Sequence, residues 1–156
     1  MKTEEFAQRM SSLKPKLYKT ALLYLKNESL AIETVDEAEY KAFISVKKLR
    51  QPEYFDTWVT RILINECKKM LRRKKRELSL DYYREETVIS HDNLPLKIAI
   101  QTLSDDLKDV IILRFFTGFT LAETAKSLNI PVGTVSTRQK QALNLLKIEL
   151  QVKEEN

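Results

Sequence analysis

The segment from Thr120 to Lys147, TLAETAKSLNIPVGTVSTRQKQALNLLK, constrains the fold more than any other stretch of the chain. Leu121, Ala125 and Leu128 fall on one face of a helix. Asn129 follows where the chain must turn, and Asn tolerates the left-handed conformation that ends many helices. Ile130 plugs the turn, and Pro131 can open a second helix because its missing N–H costs nothing there. That second helix buries Val135, Ala142 and Leu146. Its outward residues near the start are Gly133, Thr134, Ser136, Thr137, Arg138, Lys140 and Gln141. They are small, hydroxylic, amide-bearing or basic, as suits the wall of a DNA major groove. Spacing alone favours this DNA-reading arrangement over an ordinary αα-hairpin with a solvated outer face, which remains the alternative.

Two glycines and four prolines in 156 residues argue against a turn-rich all-β fold. No apolar run is long enough to span a bilayer, and the first residues lack a signal-peptide core. A lone cysteine cannot form an internal disulfide, which fits a reducing compartment.

The net charge of +5 is segmented. Residues 1–76 carry 18 Lys/Arg against 10 Asp/Glu, residues 77–95 carry 1 against 5, and residues 96–156 carry 8 against 7. The pattern predicts a basic first domain (1–76), an acidic connector (77–95) and a nearly neutral second domain (96–156). A basic domain joined to a helix-turn-helix points to nucleic acid.

In the first domain, Phe6, Met10 and Leu13 predict a short helix ending near Pro15. Leu17, Ala21, Tyr24 and Leu25 predict another. Asn27 and Ser29 mark a break, with Ser29 as the expected cap of a helix over 30–48. Ile32, Val35, Ala42, Val46 and Leu49 form its expected buried stripe. Another face carries Glu33, Asp36, Glu37 and Tyr40, either a solvated acidic face or a dock for a basic partner. Pro52 marks a loop over 50–54. Asp56 or Thr57 then caps a long helix reaching Arg76, with Val59, Leu63, Cys67 and Leu71 in its stripe. Cys67 reads as a small core residue, since nothing nearby in sequence would lower its pKa. Seven of the nine residues from Lys68 to Arg76 are basic. The helix dipole accounts for one or two such charges, whereas phosphate binding accounts for the excess. The segment Asp81–Tyr83 and His91–Asn93 read as linker, and one histidine excludes a two-histidine metal site. In the second domain Leu96, Ile100 and Leu103 line one helix. Ser104 caps the next, lined by Leu107, Ile111 and Phe115 and ended by Gly118 in the left-handed region.

Taken in order, four segments resemble an RNA polymerase sigma factor of the extracytoplasmic-function (ECF) subfamily. They are AIETVDEAEYKAF (Ala31–Phe43), RQPEYFDTWVTRILINECKKMLRR (Arg50–Arg73), LSDDLKDVIILRFFTGFTLAETAKSLNI (Leu103–Ile130) and PVGTVSTRQKQAL (Pro131–Leu143). The resemblance implies an all-α fold of two small helical domains joined by a flexible linker. It implies that Glu33, Val35, Asp36, Glu37 and Tyr40 face core RNA polymerase. It implies that the loop Leu49–Phe55 captures a flipped base of the minus-ten element, for which Arg50, Gln51 and Tyr54 are suitable types. Arg61, Asn65, Lys68, Lys69, Arg72 and Arg73 would line the DNA strand and the upstream duplex. Gly133, Thr134, Ser136, Thr137, Arg138, Lys140 and Gln141 would meet the minus-thirty-five element. The linker would thread near the polymerase active site. A further implied partner is an anti-sigma factor, often membrane-anchored, holding an otherwise cytoplasmic protein at the membrane. No cofactor, metal or small-molecule substrate is expected.

The chain departs from the family pattern at four positions. Asp36 stands for a usual Gln, Ser136 for a usual Lys and Gln141 for a usual Arg. Glu39 replaces an apolar residue and is expected to disturb packing against the neighbouring helix. Two other readings use the same residues. A stand-alone helix-turn-helix regulator would need dimer symmetry, and no long heptad seam offers one. A small nucleic-acid enzyme would need an acid–base or metal constellation, and none is legible.

Overall fold

A computed structural model of the chain describes residues 1–80 and 94–155, all side chains excepting those of 78–80 and 148–155. The chain divides into two compact units, Met1–Val88 and Ile89–Asn156. No strand occurs among the described residues, and none of their helices is long and apolar enough to cross a membrane. The predicted linker residues Asp81–Tyr83 and His91–Asn93 lie outside the described set.

The first unit packs three helices against one another: α1 (Thr3–Leu25), α2 (Glu28–Ser45) and α3 (Phe55–Leu80). The sequence predicted a stop near Pro15, but α1 runs through it. Pro15 removes an N–H that would bond the carbonyl of Ser11, and both residues face water. At that exposed position water can take the place of the lost donor, while Phe6, Met10, Leu13, Leu17 and Ala21 remain one unbroken buried stripe. Burial along the whole stripe outweighs the local cost of about 3 kcal/mol. The helix ends at Lys26, which takes the left-handed conformation at φ 57° and donates its N–H to Leu22 O.

Asn27, not Ser29, caps α2. Its Oδ1 accepts the Leu30 N–H at 2.9 Å, so the helix begins two residues before the predicted start. The buried stripe of α2 also differs from the prediction. It consists of Ala31, Thr34, Val35, Ala38 and Ala42, while Ile32 is exposed and Val46 and Leu49 are half-buried. Small side chains let α1 and α3 approach α2 closely. From α3, Phe55, Val59, Leu63, Ile64 and Cys67 fill the space between the helices. Two buried hydroxyls are satisfied along their own helices: Thr20 Oγ1 donates to Lys16 O and Thr60 Oγ1 to Asp56 O, each at 2.7 Å.

The α3 helix begins at Phe55, one residue before the predicted caps, and continues to Leu80, so the expected domain boundary at 76 falls inside it. Leu71, predicted as core, is exposed. The reason is length: α3 has 26 residues against 18 in α2, about 39 Å against about 27 Å. The buried stripe stops at Cys67, and among the described residues no helix covers Leu71 at the basic end.

The second unit contains α4 (Leu94–Gln101), α5 (Asp105–Ile111), α6 (Leu121–Leu128) and α7 (Val132–Glu155). Its first helix thus starts inside the predicted 77–95 connector. Ser104 occupies the N-cap position of α5 without a side-chain cap bond. After Ile111 the helix widens into a π-helical turn, Ile112–Thr117, that ends at Gly118 with φ 86°. A π turn adds about one residue to the circuit and rotates the following side chains. Phe115 therefore points outward, contrary to the predicted stripe, while Ile112, Leu113 and Thr117 point in. Phe119 is buried just beyond. All of α4, α5 and α6 pack on α7.

The cap assignment is directly testable. Asn27→Ala should lower unfolding free energy by about 1 kcal/mol, as loss of a cap acceptor does. Ser29→Ala, at an exposed position, should change it little. Urea midpoints of the two variants check this.

Candidate nucleic-acid and partner interfaces

The helix-turn-helix is held by caps at both ends of α6. Thr120 Oγ1 accepts the Glu123 N–H at 3.1 Å, and Glu123 Oε1 accepts the Thr120 N–H at 3.0 Å. This capping box was legible as Thr-x-x-Glu at 120–123 and the sequence reading passed over it. At the other end Asn129 is left-handed at φ 57°, as predicted, and Ile130 N–H reaches back to Ala125 O. The carbonyl of Pro131 accepts the N–H groups of Thr134 and Val135 and starts α7. Val110, Ala125 and Val135 form the core of the angle, with Leu121, Leu128 and Ile130 packed on it.

Val135, Ala142 and Leu146 are buried, as the spacing required. Gly133, Ser136, Thr137, Lys140 and Gln141 lie on the arc of α7 away from Val135 and Ala142, whereas Arg138 borders that buried stripe at spacings of three and four. Gly133, Thr137, Lys140 and Gln141 are exposed, whereas Thr134, Ser136 and Arg138 are half-buried. A Cβ built on Gly133 meets nothing within 4 Å, so packing inside the chain does not require glycine there. Thr137 Oγ1 donates to Gly133 O at 3.0 Å. Arg138 Nη2 lies 3.8 Å from Asp106 Oδ2 at the start of α5.

One residue that supports this helix was not predicted. Arg114 Nε donates to Gln139 Oε1 at 2.8 Å, and its Nη1 donates to Phe119 O at 2.6 Å. The guanidinium also lies 5.5 Å from the centre of the Phe115 ring. Arg114 thereby ties α7 to the turn after Gly118. Nothing in its local sequence marks it, because its partner on α7 is 25 residues away.

The outer face of α2 carries Glu33, Asp36, Glu37 and Tyr40, all exposed. Val35, assigned with them to a partner-binding surface, is instead 4% exposed and belongs to the core. Its place is set by the stripe Ala31, Thr34, Val35, Ala38, which has helical spacing. Besides the expected Tyr40, the same outer face holds three large apolar side chains not expected there, Ile32, Phe43 and Ile44. Ile32, Tyr40, Phe43 and Ile44 are 53, 60, 47 and 60% exposed. Small residues inward and large apolar residues outward is the reverse of a free helix on a soluble core, and it marks a contact surface.

Glu39 does not disturb packing. Lys14 on α1 lies 2.8 Å from its Oε2, and this bond raises the lysine pKa above its ordinary value. Lys41 pairs with Glu66 in the same way between α2 and α3.

Along α3, Arg61, Asn65, Lys69, Arg72 and Arg73 are exposed and Lys68 is half-buried. Arg61, Asn65, Lys68 and Arg72 follow one strip of the helix at spacings of three and four. The preceding loop contains two 3₁₀ turns, Val46–Lys48 and Pro52–Tyr54, and exposes Arg50, Gln51 and Tyr54. Beneath it the rings of Phe6 and Phe43 meet edge-to-face at 5.4 Å, and those of Phe6 and Phe55 at 5.7 Å. Arg9 crosses from α1 to the loop and donates to Pro52 O.

Cys67 is completely buried, and burial pushes its thiol pKa up to about 12. The thiol should resist alkylation by iodoacetamide at pH 8 in the folded protein and react once the chain is unfolded in urea. Mass spectrometry of the two samples checks this, and rapid labelling of the folded chain would contradict it.

With these surfaces in place, comparison with known proteins is informative. Residues 10–77 match the family Sigma-70 region 2, and residues 99–147 match Sigma-70, region 4. The chain is 31% identical over 142 residues to RNA polymerase sigma factor SigV of Bacillus subtilis, covering 88% of this chain and 86% of that protein. It is 27% identical to the ECF RNA polymerase sigma factor SigW of the same organism, covering 94% and 89%. Among solved structures it resembles the sigma factor RpoE in complex with the anti-sigma factor NepR from Bartonella quintana. That match has a TM-score of 0.81 and 25% identity, over 96% of this chain and 99% of that one. The fold is also that of CnrH, solved in complex with the cytosolic domain of CnrY, with a TM-score of 0.76.

Proposed function

The chain belongs to the extracytoplasmic-function sigma factors of RNA polymerase, and on that premise we propose how its surfaces divide the work. It is an alternative sigma factor that binds core RNA polymerase and directs initiation at specific promoters. The first domain, about 1–76 with the rest of α3, binds polymerase and the minus-ten element. The second, about 96–156, reads the minus-thirty-five element, with the acidic connector between them.

The observation that carries this reading is the outer face of α2. Its exposed Ile32, Tyr40, Phe43 and Ile44 lie among Glu33, Asp36 and Glu37. An interface with an apolar centre and a charged rim has this composition. Core polymerase is the proposed occupant, and Val35 contributes from below by holding the helix in place.

The loop residues Arg50, Gln51 and Tyr54 would receive a flipped base. Arg61, Asn65, Lys68, Lys69, Arg72 and Arg73 would follow the phosphates of the strand and the upstream duplex. On α7, Gly133, Thr134, Ser136, Thr137, Arg138, Lys140 and Gln141 would enter the major groove. The open space at Gly133 supports close approach of a DNA backbone there. Ser136 and Gln141 make this helix less basic than its family pattern, so phosphate anchoring rests more on α3.

The resemblance to the sigma factor RpoE, solved with the anti-sigma factor NepR, supports a similar control here, by a partner that would cover the polymerase- and DNA-binding faces. The protein then works in the cytoplasm, and a membrane-anchored anti-sigma factor would hold it at the membrane until release.

Run-off transcription with purified core polymerase tests the whole reading. The expected result is initiation at discrete sites only when the protein is added, and absence of both initiation and co-elution with core would end the proposal. Arg72→Ala with Arg73→Ala should reduce the slope of log affinity against log salt by about 1.8. An unchanged slope would remove both residues from the phosphate path.

A further inference from the structure

The turn proposed to receive the base is held locally by its own residues and by the start of α3. Leu49 N–H donates to Val46 O, Tyr54 N–H to Gln51 O, and Thr57 Oγ1 of α3 to Tyr54 O at 3.0 Å. The Pro52 carbonyl lies between Gln51 and Tyr54. It accepts the Phe55 N–H, which joins the turn to α3. It also accepts Arg9 Nη1 from α1, 43 residues away, at 2.5 Å.

Arg9 is itself held on two further sides. Its Nη2 pairs with Glu5 Oε1 at 3.1 Å, one helical turn earlier. Its guanidinium carbon lies 5.8 Å from the centre of the Phe55 ring, which is 1% exposed. A planar cation over an aromatic face, braced by a carboxylate, is a rigid donor rather than a mobile surface charge. It directs that donor at the Pro52 carbonyl, within the turn.

On the base-capture reading above, we propose that Arg9 is a positioning residue for minus-ten recognition. By clamping Pro52 O it sets the pose of Arg50, Gln51 and Tyr54 before DNA arrives. A turn already ordered binds without the entropy loss of being ordered by its ligand. Arg9 acts through the turn and does not itself touch the base.

The test uses holoenzyme assembled from core RNA polymerase of Bacillus subtilis with wild type, Arg9→Ala or Arg9→Lys. Each is presented with fork-junction DNA whose minus-thirty-five region is duplex and whose minus-ten non-template strand is single-stranded, both regions being randomised. Bound DNA is sequenced. Wild type should enrich particular bases in the single strand. Arg9→Ala should lower that preference by about tenfold, the scale of losing a hydrogen bond to a charged group. Affinity for core and preference within the duplex region should be unchanged. Arg9→Lys can keep a donor to Pro52 O but not the Glu5 and ring contacts together, and should retain an intermediate preference. Full wild-type preference in Arg9→Ala overturns the proposal, as does an equal loss in the single-stranded and duplex regions, which would mean general misfolding. If Arg9→Ala does not fold, Arg9→Lys decides, and wild-type preference in it overturns the proposal. No single-strand preference in wild type itself would instead refute base capture by the loop, and the role of Arg9 with it.

Discussion

The first unit depends on α2 burying its small side chains. Ala31, Ala38 and Ala42 are fully buried, and they let α1 and α3 close over a helix with little bulk to offer. The bulk comes from the neighbours: Met10 and Leu17 on one side, Phe55 and Leu63 on the other. This arrangement has a consequence for the outside. With its small residues committed inward, α2 presents Ile32, Tyr40, Phe43 and Ile44 to solvent, an exposure that is unfavourable for an isolated domain. The same choice of residues thus closes the core and prepares a binding face. Replacing the alanines by leucines would overpack the first and disturb the second.

The second unit solves a different problem, which is to hold one exposed helix at a fixed angle. The capping box at Thr120 and the left-handed Asn129 fix both ends of α6, and Val110, Ala125 and Val135 fix its angle to α7. The π turn before Gly118 brings Ile112 and Leu113 inward together and leaves Arg114 able to reach both Phe119 O and Gln139. A regular helix in that place would have buried Phe115 and turned the register against these contacts. The widened turn and the arginine brace are therefore one device, and a helix so braced loses little entropy when it enters a groove.

What the sequence disclosed follows from the range of the interactions concerned. The two helices and the turn of the helix-turn-helix were legible because their apolar determinants, Leu121 to Leu146, are local and periodic. Pro15 misled because a local rule was weighed without the stripe from Phe6 to Ala21 that overrides it. Ile32 misled for the opposite reason: a large apolar residue was taken as core, although the tightest helical repeat nearby was the alanines. Val35 followed a family position on α2, but the same alanine repeat buries it. Arg9 and Arg114 were invisible, since each acts on a carbonyl or amide brought near only by tertiary packing. The basic run at Lys68–Arg76 was visible, but its exposure depends on α3 outrunning its partners, which only the helix lengths reveal.

On the proposed division of surfaces, strand opening draws on differences in binding energy. Unstacking a base costs a few kcal/mol, and stacking on an aromatic side chain returns about 1–3 kcal/mol per base. Capture of one base by Tyr54 and its neighbours thus comes close to balance and cannot drive opening far by itself. The surplus has to come from contacts that improve as the duplex opens, and the cationic strip of α3 is placed for this because it begins directly after the loop. The minus-thirty-five contacts proposed for α7 would hold equally well before and after opening, so they would raise occupancy and add nothing to the opening step. Joining both surfaces in one chain raises the local concentration of the opening surface at the promoter. The weaker charge of α7 is consistent with that division, since a reader that held DNA too tightly would slow the polymerase's departure without helping it to open the strands.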